Sequence, residues 1–132
     1  MLHSADQAAG LRRLFRRTPS AVVALFASGR APRDLAVQTL VALTEGARRI
    51  VAIDEHGPER GSLLAAFGYP EAGDLLGALQ GPFEVTDTMR EVAEGLWVVP
   101  AAAAALAVPL LDDAQHARLE SAIAELQRRA DL

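Results

Sequence analysis

The sequence contains no cysteine and no lysine. The first absence removes disulfides, thiolate metal sites and cysteine nucleophiles together, and it fits a reducing compartment. The second leaves every positive side chain to arginine and withholds the ammonium group that phosphate-binding loops aim at the β and γ phosphates. Aromatic residues make up only 5% of the chain, and Trp97 and Phe67 read as core residues rather than ligand stacks. His56 and His116 have no second ligand at metal spacing. No apolar run reaches the roughly 20 residues of a membrane span. The longest weakly polar stretch, Leu96 to Leu111, is interrupted by Pro100 and Pro109. A basic field is missing too: the net charge is -4 and the pI about 5.3, so nucleic acid is not an expected partner. The first apolar residues are broken by Asp6, Arg12, Arg13, Arg16 and Arg17, which is unlike a secretory signal and implies a cytoplasmic chain without direct membrane insertion.

What remains is a chain of 132 residues, 51% hydrophobic, enough for one domain with a core. Ser4 to Phe15 places Ala8, Leu11, Leu14 and Phe15 at helical spacing, with Ser4 or Asp6 as cap. Ala21 to Ala27 is a continuous apolar run of the kind buried on both faces of a sheet. Asp34 is placed to cap a helix carrying Leu35, Val37, Leu40, Val41 and Leu43, ended by Gly46, and Ile50 to Ile53 is a second strand. Strand, helix and strand make a βαβ unit with parallel strands. The expected fold class is therefore α/β, with about three parallel strands flanked by helices.

Downstream, Gly61 to Phe67 and Asp74 to Leu79 predict short helices, and Glu84 to Glu94 predicts a further helix ended by Gly95. Leu96 to Val99 predicts the third strand. The alanine run Ala101 to Ala105 suits either a short helix or a loop. Asp112 to Ala130 predicts a long amphipathic helix with Leu119, Ile123, Leu126 and Ala130 on one stripe. Acidic residues on its polar side make anionic lipid an unsuitable partner.

In an open parallel sheet, ligands sit beyond the carboxyl ends of the strands. The first such loop, Ser28-Gly29-Arg30-Ala31-Pro32-Arg33-Asp34, lies where a phosphate cradle would be and lacks its parts. A cradle turns several backbone N–H groups toward phosphate and adds a lysine and a hydroxyl for magnesium. Here there is one glycine, Pro32 has no N–H, and Asp34 brings negative charge. Arg30 and Arg33 retain a capacity for weak anion binding. Asp54 follows a strand in a place suited to magnesium, but without a phosphate loop a capping role is the better reading.

These segments resemble the deviant Walker loop of the MinD/ParA family, whose pattern is SGKGGVGKT followed by NLAVNLALAL. Ser28-Gly29-Arg30 matches its start and Asp34-Leu35-Ala36-Val37-Gln38 its helix, with three residues fewer between them. Ile53-Asp54-Glu55-His56-Gly57 resembles the family's IDADxG stretch, with His56 in place of the second aspartate. Leu96-Trp97-Val98-Val99-Pro100-Ala101 resembles its VLPA strand end. Asp6-Gln7-Ala8-Ala9-Gly10-Leu11-Arg12 resembles the DQAxxLR pattern of the FlhG (FleN) branch of that family, the regulators of flagellar number.

The resemblance implies a P-loop NTPase-like, Rossmann-like layer of which only the N-terminal half is present, with Ala130-Asp131-Leu132 as the opening of the next strand. It also implies two parts: a partner-binding helix over 1–18 and a degenerate α/β domain over 19–132. In that family the N-terminal helix engages and stimulates FlhF, a GTPase of the signal-recognition-particle type, and the glutamine is the acting residue. Carried over, Gln7 acts while Asp6, Ala8, Leu11 and Arg12 position the helix, and the partner recruits the chain to the cell pole. A neutral amide can orient water near phosphate without adding charge. Ser28, Gly29, Arg30, Arg33, Asp34 and Asp54 would form a nucleotide site too degraded for ATP hydrolysis, so no cofactor is expected. Two other readings stay open. One is an ATP- and magnesium-dependent switch in which arginine replaces the lysine; the other is a structural module that dimerises through its sheet edge.

Overall fold

The computed structural model describes residues 21–22, 32–46, 48–57, 61–70 and 73–131. The predicted helix Ser4–Phe15, the strand Ala21–Ala27 beyond Val22, and the loop from Ser28 to Ala31 lie outside the described residues. In chain order the elements are α1 (Pro32–Thr44), β1 (Ile50–Asp54), α2 (Leu63–Ala66), α3 (Leu75–Gln80), α4 (Val85–Thr88), β2 (Arg90–Ala93), β3 (Leu96–Pro100), α5 (Ala102–Ala107), a 3-10 turn (Val108–Leu110) and α6 (Asp113–Arg129).

The described strands form one sheet in the order β1-β3-β2. β1 and β3 are parallel, in a register that runs from Ile50 opposite Leu96 to Asp54 opposite Pro100. β2 is antiparallel to β3, pairing Arg90 with Val98 and Ala93 with Leu96, with an irregularity between Glu91 and Ala93. The chain is thus α/β with a mixed sheet, not an all-parallel one.

The antiparallel strand overturns the helix predicted over Glu84–Glu94. Helix is confined to Val85–Thr88, and the chain then extends. Val85, Met89 and Val92 are spaced like one helical stripe, which is why the sequence favours a helix. In the fold they serve two different faces: Val85 and Met89 join one apolar cluster and Val92 the other. Only an extended strand can send Val92 through to the opposite side. Gly95 closes the hairpin at φ +77°, a left-handed conformation that costs glycine little.

Helices cover both faces of the sheet. On one side Ile50, Leu96, Val98 and Val92 pack with Leu40 of α1 and Leu64 of α2. On the other, Val99 packs with Leu75 and Leu79 of α3, Val85, Ala104, and Ala122 and Leu126 of α6. The alternation of Val98 and Val99 between the two clusters follows from the period-two geometry of a strand. Three layers result, with β3 fully buried at Leu96, Val98 and Val99.

Local signals set the helix ends. α1 begins at Pro32, two residues before the predicted cap, so Asp34 lies within the first turn. Proline suits that turn because its missing N–H has no intrahelical partner there. α2 ends in a Schellman arrangement: Tyr69 N–H reaches Leu64 O at 2.9 Å and Gly68 N–H reaches Ala65 O at 3.1 Å, with Gly68 at φ +79°. α6 starts with a reciprocal pair, in which Gln115 N–H donates to Asp112 Oδ1 at 2.8 Å and Asp112 N–H to Gln115 Oε1 at 3.1 Å. The alanine run takes the helical option as α5.

The end of α6 is tied to the start of β1. Asp131 N–H donates to Arg49 O at 2.7 Å, Arg49 N–H to Asp131 Oδ2 at 2.8 Å, and the Arg49 guanidinium lies 3.1 Å from Asp131 Oδ1. The side-chain hydrogen bond to Asp131, and then its negative charge, raise the Arg49 pKa above its ordinary value. Ala21 N–H donates to Asp131 O at 3.2 Å, which brings the chain leaving residues 1–20 to the same end of α6.

Candidate functional site

The carboxyl ends of β1 and β3 are where a parallel sheet offers its crevice. Asp54 ends β1 there and is only 5% exposed. Both of its carboxylate oxygens are engaged: Oδ1 accepts from His56 N–H at 3.0 Å and Oδ2 from Leu63 N–H at 2.7 Å. The second bond supplies an acceptor for the first turn of α2, where N–H groups have no intrahelical partner. Ser62 adds its Oγ as acceptor for Ala65 N–H at 3.2 Å. The Asp54 carbonyl accepts from Ala101 N–H at 2.8 Å, which carries the β1–β3 ladder to the mouth of α5. The exposed His56 ring leans over this point, with Nδ1 3.5 Å from Asp54 Oδ1.

A second carboxylate completes the arrangement. Asp74 caps α3 by accepting from Leu76 N–H at 2.9 Å, and it also accepts from Ala103 N–H at 2.9 Å and Ala104 N–H at 3.0 Å, at the start of α5. The first turns of α2, α3 and α5 therefore receive their anionic partner from the chain itself. At these three helix starts, carboxylates of the chain accept the N–H groups that an α/β nucleotide site would present to phosphate.

The sequence-predicted residues separate under this geometry. Asp54 is engaged in capping. Asp34 is exposed in the first turn of α1, and Arg33 belongs to the same turn. Ser28, Gly29 and Arg30 lie outside the described residues, as do Asp6, Gln7, Ala8, Leu11 and Arg12. Asp74 stood in the sequence only as the start of a helix, a signal good enough to mark it as a cap of α3. Nothing local marks its second task, since α5 begins almost thirty residues later. Among the described residues no cluster of His, Asp or Glu is placed to hold a metal ion, and no helix is long and apolar enough to cross a membrane.

These features define a three-layer α/β domain in which Asp54 and Asp74, beside the carboxyl ends of the strands, cap α2, α3 and α5. No family model, no curated protein and no solved structure matches the chain.

Proposed function

We propose that the chain is a FlhG-like binding protein that does not hydrolyse ATP and that acts by presenting its N-terminal helix to a GTPase of the FlhF type. The observation that carries the first half is Asp54. Each oxygen of this buried carboxylate accepts a backbone N–H, the second at the first turn of α2, which is the work of a cap. The loop composition argues the same way, with no lysine anywhere and a proline within the shortened segment. The second half rests on the resemblance of Asp6 to Arg12 to the DQAxxLR helix, in which Gln7 is the acting residue. Its consequence is control of flagellar number or placement, exerted in the cytoplasm or at the pole to which the partner recruits the chain.

The test pairs two measurements. Purified protein should stimulate GTP hydrolysis by the FlhF protein of the same cell, and Gln7→Ala should abolish that stimulation without changing the unfolding midpoint. Equal stimulation by both proteins, or by neither, defeats the partner reading. Calorimetry with ATP and magnesium should show no tight binding; a magnesium-dependent, saturable heat would return the chain to the switch ATPases.

A further inference from the structure

Hydrogen bonds fix the direction in which β1 presents its backbone. Ile50 N–H donates to Gly95 O at 2.8 Å and Ala101 N–H to Asp54 O at 2.8 Å, so residues 50, 52 and 54 turn their peptide groups toward β3. By alternation Arg49, Val51 and Ile53 turn theirs outward, and β1 stands at one end of the strand order β1-β3-β2. At Arg49 this edge is closed. Asp131 N–H donates to Arg49 O at 2.7 Å, Asp131 Oδ2 accepts from Arg49 N–H at 2.8 Å, and the Asp131 carbonyl accepts from Ala21 N–H. Among the described residues nothing meets the outward groups of Val51 and Ile53, and Ile53 is 43% exposed. Outward amides beside an exposed apolar side chain are a template for another strand.

The residues of the edge state which strand fits it. Set antiparallel to itself with Ala52 opposite Ala52, the segment places Val51 opposite Ile53 and Arg49 opposite Glu55, each pair occurring twice about a two-fold axis. Branched apolar side chains meet in the middle and opposite charges at both ends, which are favourable cross-strand pairs. The neighbouring registers that keep outward groups facing each other put Arg49 opposite Ile53 or Gly57, and both lose the two ion pairs. Arg49 is also the residue that Asp131 holds, with the guanidinium 3.1 Å from Asp131 Oδ1. Asp131 therefore takes the backbone groups and the charge that a second β1 would use.

We infer that β1 is a self-pairing edge whose occupant is the β1 of a second copy of this chain, and that Asp131 holds it shut by competing for Arg49. The pairing is a property of this chain alone and does not rest on the proposed function.

Sedimentation equilibrium of the full chain over a concentration series tests it. Asp131→Ala should dimerise with an association constant at least about tenfold above that of the wild type, which stays mainly monomeric where the variant pairs. Equal association of the two proteins overturns the inference, and so does a wild type that is already a stable dimer. Adding Ile53→Lys to Asp131→Ala should return the chain to monomer, since a charge on an edge strand opposes pairing. A dimer that persists places the contact elsewhere, and the exposed Leu106 and Leu110 would then be the face to examine. The register has its own check in the Asp131→Ala background: Arg49→Glu should abolish the dimer and Glu55→Arg, added to it, should restore it. No recovery overturns the proposed pairing. Arg49, Ile53, Glu55 and Asp131 are all exposed, so the fold is retained, and unchanged Trp97 fluorescence verifies this for each variant. No readout involves a GTPase, so failure here leaves the partner assay to be judged by itself.

Discussion

The Asp74 carboxylate and the Ala104 N–H, thirty residues apart in sequence, meet at 3.0 Å. Through that bond and its neighbours, one side chain caps both α3 and α5 and holds the segment after β3 against the segment before β2.

Asp74→Ala leaves three N–H groups of two helix starts without their acceptor. Replacing a single cap by alanine costs about 0.5–2 kcal/mol, so a loss of about 2–3 kcal/mol is expected for this double cap. Urea unfolding followed by Trp97 fluorescence measures it. A loss under about 0.5 kcal/mol would falsify the shared-cap account.

At the other carboxylate the backbone of residue 56, not its imidazole, makes the shorter contact with Asp54. Asp54→Ala should cost about 2 kcal/mol, because two N–H groups lose their acceptor at a buried site. His56→Ala, at an exposed side chain, should stay within about 0.5 kcal/mol. Reversal of that order would make the imidazole the structural partner and put the capping argument in doubt.

Two glycines separate backbone strain from steric contact. Gly68 and Gly95 both lie at positive φ, but a Cβ on Gly68 meets nothing within 4 Å while one on Gly95 comes 3.2 Å from Arg48 O. Gly68→Ala should therefore cost about 1 kcal/mol from conformation alone, and Gly95→Ala roughly twice that, since the hairpin must shift. Paired melting curves check the difference; equal losses would remove the Arg48 carbonyl from the account.

Glu125 provides a pH-dependent contact. Hydrogen bonds from Arg128, and then from Arg129, hold its pKa below the ordinary carboxylate value. Because the folded value is the lower one, the contribution to stability is complete above the unfolded pKa and is lost as the pH falls through the folded pKa. The arginines are solvent-facing, so the effect on unfolding is small. NMR titration of the carboxyl carbon should show the depressed midpoint, and Arg128→Gln should raise it. A midpoint that does not move in Arg128→Gln would exclude Arg128 as the leading cause.

The sequence by itself determined the α/β class, β1, β3, the short helices α2 and α3, and the long helix α6. Each is written in local chemistry: apolar runs, a polar side chain before a helix, a glycine after one. It also determined, through the missing lysine and the single glycine, that the Ser28–Asp34 loop lacks the parts of a phosphate cradle. Tertiary structure decided what no local pattern holds. It made Arg90–Ala93 a strand, because Val92 is needed on the face opposite Val85 and Met89. It gave Asp74 a second helix to cap, and it left Leu106 and Leu110 in water while burying Ala104 against the sheet. In each case the deciding partner is distant in the chain, and helical or strand spacing carries no record of it.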